Sequence, residues 1–204
     1  MNRTFRMPAE WEPHRATWIA WPHQREDWPD KFEPIPWVYT EIVRHLSASE
    51  QVGIVATEEL ASEAREMLSR AGVDLDRVTF VPFVTDRVWT RDSGPIFVRE
   101  EGRDSGGKLV ALDWRFNAWA KYDNHLDDNR LPERLAEHLG LERVQPHALG
   151  RHLVLEGGAI DVDGDGLLLT TEECLLDAEV QTRNPELPRA ELEAALRTYL
   201  GVRD

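Results

Sequence analysis

Three short segments of the sequence combine carboxylates with aromatic or polar side chains. They are VWTRDSGP at 88–95, DWRFNAW at 113–119 and LEGGAID at 155–161. Glycines in the first and third segments allow the backbone to turn sharply and to approach a ligand closely. Each segment also carries a carboxylate that a purely structural strand does not need. These segments are therefore the candidate positions for binding or catalysis.

Two of these carboxylates, Asp92 and Glu156, also have a structural interpretation. Asp92 precedes Ser-Gly-Pro and is compatible with a turn carboxylate. Glu156 precedes two glycines and is compatible with a solvated strand end. Residue types alone leave both interpretations open.

The spacing of hydrophobic residues along the chain predicts the helices and strands that position these segments. Helical spacing alternates with short β-rich runs throughout the chain, which is typical of the α/β class. We predict one domain over residues 1–204. The predicted helices cover 34–49, 59–71, 131–140 and 189–200, and the predicted strands cover 51–57, 78–83, 95–100, 109–116, a segment near Val144 and a hairpin within 153–171.

The composition restricts the classes of partner. Thirty-eight acidic residues against twenty-four Lys and Arg give a net charge of -14, which argues against nucleic acid or an anionic membrane and favours a cationic ligand. A solvated acidic surface is the alternative explanation of this charge. No run of eighteen apolar residues occurs, and the N-terminus has no signal pattern, so a cytoplasmic location is expected.

The chain has a single cysteine, Cys174, which excludes an internal disulfide and a Cys-rich zinc site. It follows two glutamates, whose negative charge disfavours the thiolate that a nucleophile needs. We therefore expect a structural role for Cys174.

Taken together, the segments resemble the agmatine deiminase and bacterial (Porphyromonas-type) peptidylarginine deiminase family. The matching strings appear in the family's order and cover nearly the whole chain. They are MPAEWEPHRATWIAWPH (7–23), WTRDSGPIFV (89–98), DWRFNAW (113–119), LEGGAIDVDGDGLLLTTEECLL (155–176) and RNPEL (183–187). One departure is AWAKYD (118–123), where the family usually carries a second glycine pair before Lys-Tyr.

The resemblance implies a pentein fold, a fan of five ββαβ units around a pseudo-fivefold axis, of which this chain would hold about three. It also implies a substrate in the central channel and chemistry without a metal or an organic cofactor. A Cys thiolate attacks the guanidinium carbon, ammonia leaves, and water hydrolyses the thiouronium adduct to a ureido product. Carboxylates suit this substrate because a guanidinium is planar, permanently cationic and best held by bidentate acceptors.

By position in the matching motifs, two carboxylates would be catalytic. Asp92 would hold the guanidinium, and Glu156 would contact it while orienting a general acid/base histidine. Trp89 would line the channel with an apolar or cation–π wall. Asn117 and Trp119 would shape the mouth of the channel.

Other residues of these motifs receive structural roles. Arg91 is expected to hold its loop by ion pairing. Trp11, Trp18 and Trp21 are expected to pack in the core or in an interface rather than to contact substrate.

Two further motifs of the family, Gly-His-x-Asp and Cys-Gly-Gly-Gly-Asn, do not occur in the 204 residues. They would supply the histidine, a second guanidinium-binding Asp and the nucleophile, so this chain alone is expected to be inactive. For the complete polypeptide we expect hydrolysis of agmatine to N-carbamoylputrescine and ammonia, in putrescine biosynthesis, with self-association as a possibility. The alternatives are peptidylarginine as substrate, or a non-catalytic ligand-binding fragment.

A remote alternative is a calcium loop at 161–172. Asp161, Asp163, Asp165, Gly166 and Glu172 follow the spacing of an EF-hand. The flanking segments are strand-like, however, and an EF-hand needs helices. We therefore favour a hairpin with an Asp-Gly turn.

Overall fold

The computed structural model describes residues 3–101 and 107–204. Strands and helices alternate along the chain, and the strands form parallel, antiparallel and mixed sheets, which confirms the α/β class. The strands are β1 (Phe5–Arg6), β2 (Ala16–Ala20), β3 (Gln51–Ala56), β4 (Val78–Pro82), β5 (Ile96–Glu100), β6 (Lys108–Leu112), β7 (Glu142–Val144), β8 (His147–Ala148), β9 (Arg151–His152), β10 (Ile160–Val162) and β11 (Leu168–Thr170). The helices are α1 (Ile35–Leu46), α2 (Glu58–Arg70), α3 (Thr90–Ser93), α4 (Leu131–Leu139), α5 (Glu172–Leu176) and α6 (Arg189–Leu200).

The chain divides into two compact units. The contiguous unit is Pro13–Thr90, and the split unit joins Met1–Glu12 to Arg91–Asp204. Each unit has its own cluster of buried hydrophobic side chains. A single domain over 1–204 stays a prediction.

The contiguous unit is a parallel three-stranded sheet in the order β2-β3-β4, with α1 and α2 between successive strands. Its central strand β3 is almost wholly buried, which explains its unbroken apolar run. The Thr57 hydroxyl accepts a hydrogen bond from the backbone N–H of Leu60 at 3.3 Å and caps α2. The core consists of Trp21, Val43, Val52, Ile54, Ala56, Ala61, Ala64, Met67, Leu68 and Val73.

The split unit is built on a mixed sheet in the order β1-β5-β6-β7. The first two pairings are antiparallel and β6 pairs with β7 in parallel. Two small hairpins, β8–β9 and β10–β11, lie in the same unit. Helix α6 has the predicted bounds and buries Leu192, Ala195, Leu196 and Leu200. No helix within 3–101 and 107–204 is long and apolar enough to cross a membrane.

Two of the predicted strand segments are several residues shorter than expected. The strand predicted over 109–116 ends at Leu112. The Asp113 N–H still donates to the Val144 carbonyl of β7, and the chain then bonds to another segment, where the Arg115 N–H donates to the Leu153 carbonyl at 2.8 Å. The predicted hairpin within 153–171 is present, but its first strand starts only at Ile160 because residues 157–159 form a 3-10 turn.

The tryptophans near the N-terminus separate into different environments. Trp21 is buried, so its predicted core role is confirmed, and Trp18 is partly buried. Trp11 is 75% exposed and lies outside the core, so for this residue packing in an interface stays a prediction.

Candidate functional site

Asp92 lies in α3, a single helical turn that sequence periodicity did not predict. The neighbouring Arg91 fixes this turn: its Nε donates to the Gly157 carbonyl at 3.1 Å. Its guanidinium also pairs with Glu10 and lies 3.9 Å from the Asp161 carboxylate. The predicted ion pairing of Arg91 is therefore confirmed.

Glu156 follows the buried segment Leu153–Leu155 and is itself only 1% exposed. The chain turns immediately after it, since the backbone N–H of Ala159 donates to the Glu156 carbonyl at 3.0 Å. The interpretation of Glu156 as a solvated strand end is wrong. A buried carboxylate has a large desolvation cost and requires compensating partners.

The glycine pair after Glu156 lets the Asp92 turn pack directly on this backbone. A Cβ at Gly158 would lie 2.1 Å from the Asp92 Oδ1, and a Cβ at Gly157 would lie 2.5 Å from the Arg91 carbonyl oxygen. The Gly158 N–H instead donates to that Oδ1 at 3.1 Å. The loops that carry the two candidate carboxylates, 64 residues apart in sequence, are thus joined by this hydrogen bond and by the one from Arg91 to Gly157.

A buried arginine completes this arrangement, and sequence reasoning did not find it. The Arg183 Nε donates to the Glu156 Oε1 at 3.1 Å, and the Arg183 side chain is 4% exposed. The other oxygen, Oε2 of Glu156, is buried and receives no hydrogen bond within the described ranges. Arg183 belongs to the motif RNPEL, but its type and position did not indicate which carboxylate it would meet.

Burial dominates the electrostatics of the two carboxylates. Desolvation raises the pKa of Glu156, against the opposing effect of the Arg183 charge; the Asp92 charge adds to the rise. Desolvation also raises the pKa of Asp92, against the Gly158 N–H and the charges of Arg91 and Arg183. A cation placed between these groups would favour the ionised form of both.

Asn117 and Trp119 lie in a loop of the split unit with an unusual backbone. Ala118, Trp119 and Ala120 have φ of 49°, 58° and 54°, in the left-handed region that favours glycine. This is the segment in which the sequence departs from the family's glycine pair. The Asn117 side chain accepts from the Ala120 N–H at 3.2 Å, and the Trp119 ring packs edge-on against Phe116.

Trp89 belongs to the contiguous unit. There the Arg87 guanidinium lies 5.1 Å from the centre of its ring, within cation–π range. Arg87 is buried and pairs with the buried carboxylate of Asp27. The Trp89 ring is thus held by Arg87, which pairs with Asp27 of the same unit.

The calcium interpretation of 161–172 lacks the helix that should precede an EF-hand loop. Asp161 lies in strand β10, which pairs with β11 as an antiparallel hairpin. Asp163 Oδ1 accepts from the N–H groups of Asp165 and Leu167 at 2.8 and 2.9 Å, so it closes the turn. In the part of the chain that the structure describes, no three His, Cys, Asp or Glu side chains are grouped to hold a metal ion.

Cys174 lies in α5, partly buried against the core of the split unit. Its backbone N–H donates to the Thr171 hydroxyl, which caps this helix. These contacts agree with the structural role expected for it.

Comparison with curated proteins finds agmatine deiminases of bacteria and of a plant among the relatives. The agmatine deiminase of Ectopseudomonas mendocina is 37% identical over 203 residues, which cover 97% of this chain and 51% of the relative. The agmatine deiminase of Medicago truncatula is 36% identical over 208 residues, covering 98% and 52%. This chain therefore spans about half the length of the curated relatives it matches.

Solved structures show the same relationship. The agmatine deiminase of Enterococcus faecalis superposes with a TM-score of 0.82 at 30% identity, covering 98% of this chain and 52% of that one. The agmatine deiminase of C. jejuni, with substrate bound, gives 0.79 at 28% identity, covering 98% and 55%. The sequence model of one family, the Porphyromonas-type peptidyl-arginine deiminases, matches residues 6–204. Because this match takes in nearly every residue, the chain belongs to the Porphyromonas-type peptidyl-arginine deiminase family.

Proposed function

We propose that this chain supplies guanidinium-binding carboxylates of a deiminase, a hydrolase acting on carbon–nitrogen bonds, with agmatine as substrate. The observation that carries the proposal is the pairing of Asp92 with the Glu156 loop, together with the buried Oε2 of Glu156, which receives no hydrogen bond from residues 3–101 or 107–204. An acceptor oxygen of this kind suits a cationic N–H donor. The names of the relatives support the same substrate.

The reaction would proceed through attack of a thiolate on the guanidinium carbon, loss of ammonia and hydrolysis of the adduct to N-carbamoylputrescine. Asp92 and Glu156 would hold the guanidinium, and Trp89, Asn117 and Trp119 would shape its channel. In this proposal the thiolate and the histidine come from outside the 204 residues. The reaction would serve putrescine formation in the cytoplasm, on a pentein fold of which this chain forms part.

Binding of agmatine to the 204-residue chain, measured by calorimetry, tests the carboxylates directly. Asp92→Asn and Glu156→Gln should each weaken binding about tenfold or more, because each removes a charge-assisted hydrogen bond. The control is Glu193→Gln, an exposed carboxylate on α6. Equal affinity in all three variants and the parent, or no binding by the parent, would contradict the proposal.

A turnover assay tests whether the catalytic thiol must come from outside this chain. The chain alone should release no ureido product from agmatine, because it lacks the thiol motif. Robust release of N-carbamoylputrescine by the purified chain would show that its own residues complete the reaction.

The second candidate substrate is a peptidyl arginine, since the matching family carries that name. A short blocked peptide containing one arginine, used in the same calorimetric experiment, separates the two. Tighter binding of the peptide than of agmatine would favour this second candidate. Binding of agmatine that does not depend on Asp92 or Glu156 would favour a non-catalytic ligand-binding role.

A further inference from the structure

Arg183 reaches Glu156 because the next residue anchors its segment. The Asn184 side chain pairs with the backbone of Val154 through two hydrogen bonds: its Oδ1 accepts from the Val154 N–H and its Nδ2 donates to the Val154 carbonyl, both at 2.9 Å. The Asn184 amide therefore makes the two hydrogen bonds to the Val154 backbone that a neighbouring strand would make in a sheet. Glu156 lies two residues further along an extended segment, on the same face as Val154.

A second anchor fixes the far side of the guanidinium. The Arg183 Nη1 donates to the Gln181 carbonyl at 2.7 Å and to the Gln181 side-chain oxygen at 3.2 Å. Gln181 is itself held because Asp177 accepts hydrogen bonds from the backbone N–H groups of Glu179, Val180 and Gln181. The guanidinium is thus clamped between a fixed loop and Glu156.

As a consequence, the two oxygens of the Glu156 carboxylate lie in different environments. Only one of its two oxygens is taken by Arg183, and both side chains are almost fully buried. A buried acceptor without a partner is costly, so it needs an explanation that Oε2 receives no hydrogen bond among the described residues. A guanidinium presents its N–H donors in a rigid plane, so Arg183 fixes the orientation of the carboxylate better than a lysine would.

We propose that Arg183 is the positioning residue of this site: by occupying Oε1 of Glu156 it holds the carboxylate so that Oε2 is presented to the guanidinium of the substrate. This inference rests on the proposed function, since it assigns Oε2 to the substrate. It adds a role for a residue that contacts the carboxylate rather than the ligand. The charges that act on Glu156 are those of Arg183 and Asp92.

The experiment follows the Glu156 carboxyl carbon by NMR titration of the ¹³C-labelled chain, with the signal assigned through Glu156→Gln. Arg183→Met should raise the pKa of Glu156 further, because the opposing positive charge is gone. Arg183→Lys should give a smaller rise, because it keeps the charge and loses the planar donor. Agmatine affinity should fall about tenfold or more in Arg183→Met. Arg197→Met, an exposed arginine on α6, is the control and should change neither quantity.

An unchanged titration of Glu156 in a folded Arg183 variant would overturn the proposal, since an arginine that only anchored the loop would leave it unmoved. If both variants fail to fold, the Arg183 Nε–H resonance of the parent chain decides. The chemical shift of this resonance should change as Glu156 titrates, and it should differ between the parent chain and Glu156→Gln. A chemical shift that changes in neither experiment would reject the positioning role. If the parent chain binds no agmatine while these titrations are coupled, the substrate assignment fails and the pairing of Arg183 with Glu156 stands.

Discussion

Replacing Gly158 by alanine tests the contact that joins the two carboxylate loops. The new Cβ would lie 2.1 Å from the Asp92 Oδ1, whereas real Cβ atoms essentially never come within 3.0 Å of another heavy atom. Either Asp92 turns away and gives up the Gly158 N–H, or the loop shifts. Gly158 is not among the residues with positive φ, so its backbone conformation by itself does not exclude alanine.

The magnitude follows from these opposing effects. Overpacking of this kind costs about 1–3 kcal/mol. Replacing glycine by alanine where the backbone permits it gains about 0.4–1 kcal/mol through the unfolded state. A net loss of about 1–2 kcal/mol is expected, which lowers the Tm of a protein of this size by about 2–8 °C.

The assay is a double-mutant cycle with Asp92→Ala, using urea unfolding followed by circular dichroism. Without the carboxylate the clash disappears, so Gly158→Ala should become neutral or stabilising by about 0.4–1 kcal/mol. The sign of its effect should therefore invert between the two backgrounds. An equal loss of stability in both backgrounds would refute the argument that Asp92 requires a glycine at this position.

Two further outcomes are expected. Ala120→Gly should stabilise the chain by up to about 1.5 kcal/mol in urea unfolding, because a left-handed non-glycine residue costs about 1–2 kcal/mol and glycine loses about 0.5–1 kcal/mol more backbone entropy. A loss of stability would contradict the argument that Ala120 is strained. Burial raises the pKa of Glu156 above its ordinary 4.5, so this group stabilises the free protein below pH 4.5 and the contribution is lost as the pH rises through the raised pKa. In the proposed function agmatine binds the ionised form of Glu156. Its affinity, measured by calorimetry at several pH values, should therefore fall on acidification at a pH above 4.5, and Glu156→Gln should shift that midpoint.

Elements with strong periodicity and local end signals could be predicted from the sequence. Helix α6 has the predicted bounds, and α2 ends near Gly72, whose φ of 74° suits a helix stop. Strand β2 was not predicted because ATWIA shows no alternation: four of its five residues are only partly buried. Hydrophobic pattern gives no signal for such a strand.

Only part of the candidate site could be predicted from the sequence, namely the carboxylates and not the arginine. Asp92 and Glu156 stand beside glycines, which is a local signal. Arg183 meets Glu156 across 27 residues through an amide–backbone pairing made by Asn184, and nothing in the spacing encodes that contact. The left-handed loop at 118–120 was located by the missing glycines, but its actual backbone could not be derived from alanine and tryptophan.

The division of the chain has a consequence for the order in which it can fold during synthesis. The contiguous unit, Pro13–Thr90, has all its strands and its own core once those residues have left the ribosome. Strand β1 must wait, because its partner is β5 and because the Met7 N–H bonds to the Leu200 carbonyl at the end of α6. Strand β1 is therefore synthesised before the contiguous unit but is ordered after it, and until then its unpaired edge is open to chaperones or to a neighbouring nascent chain.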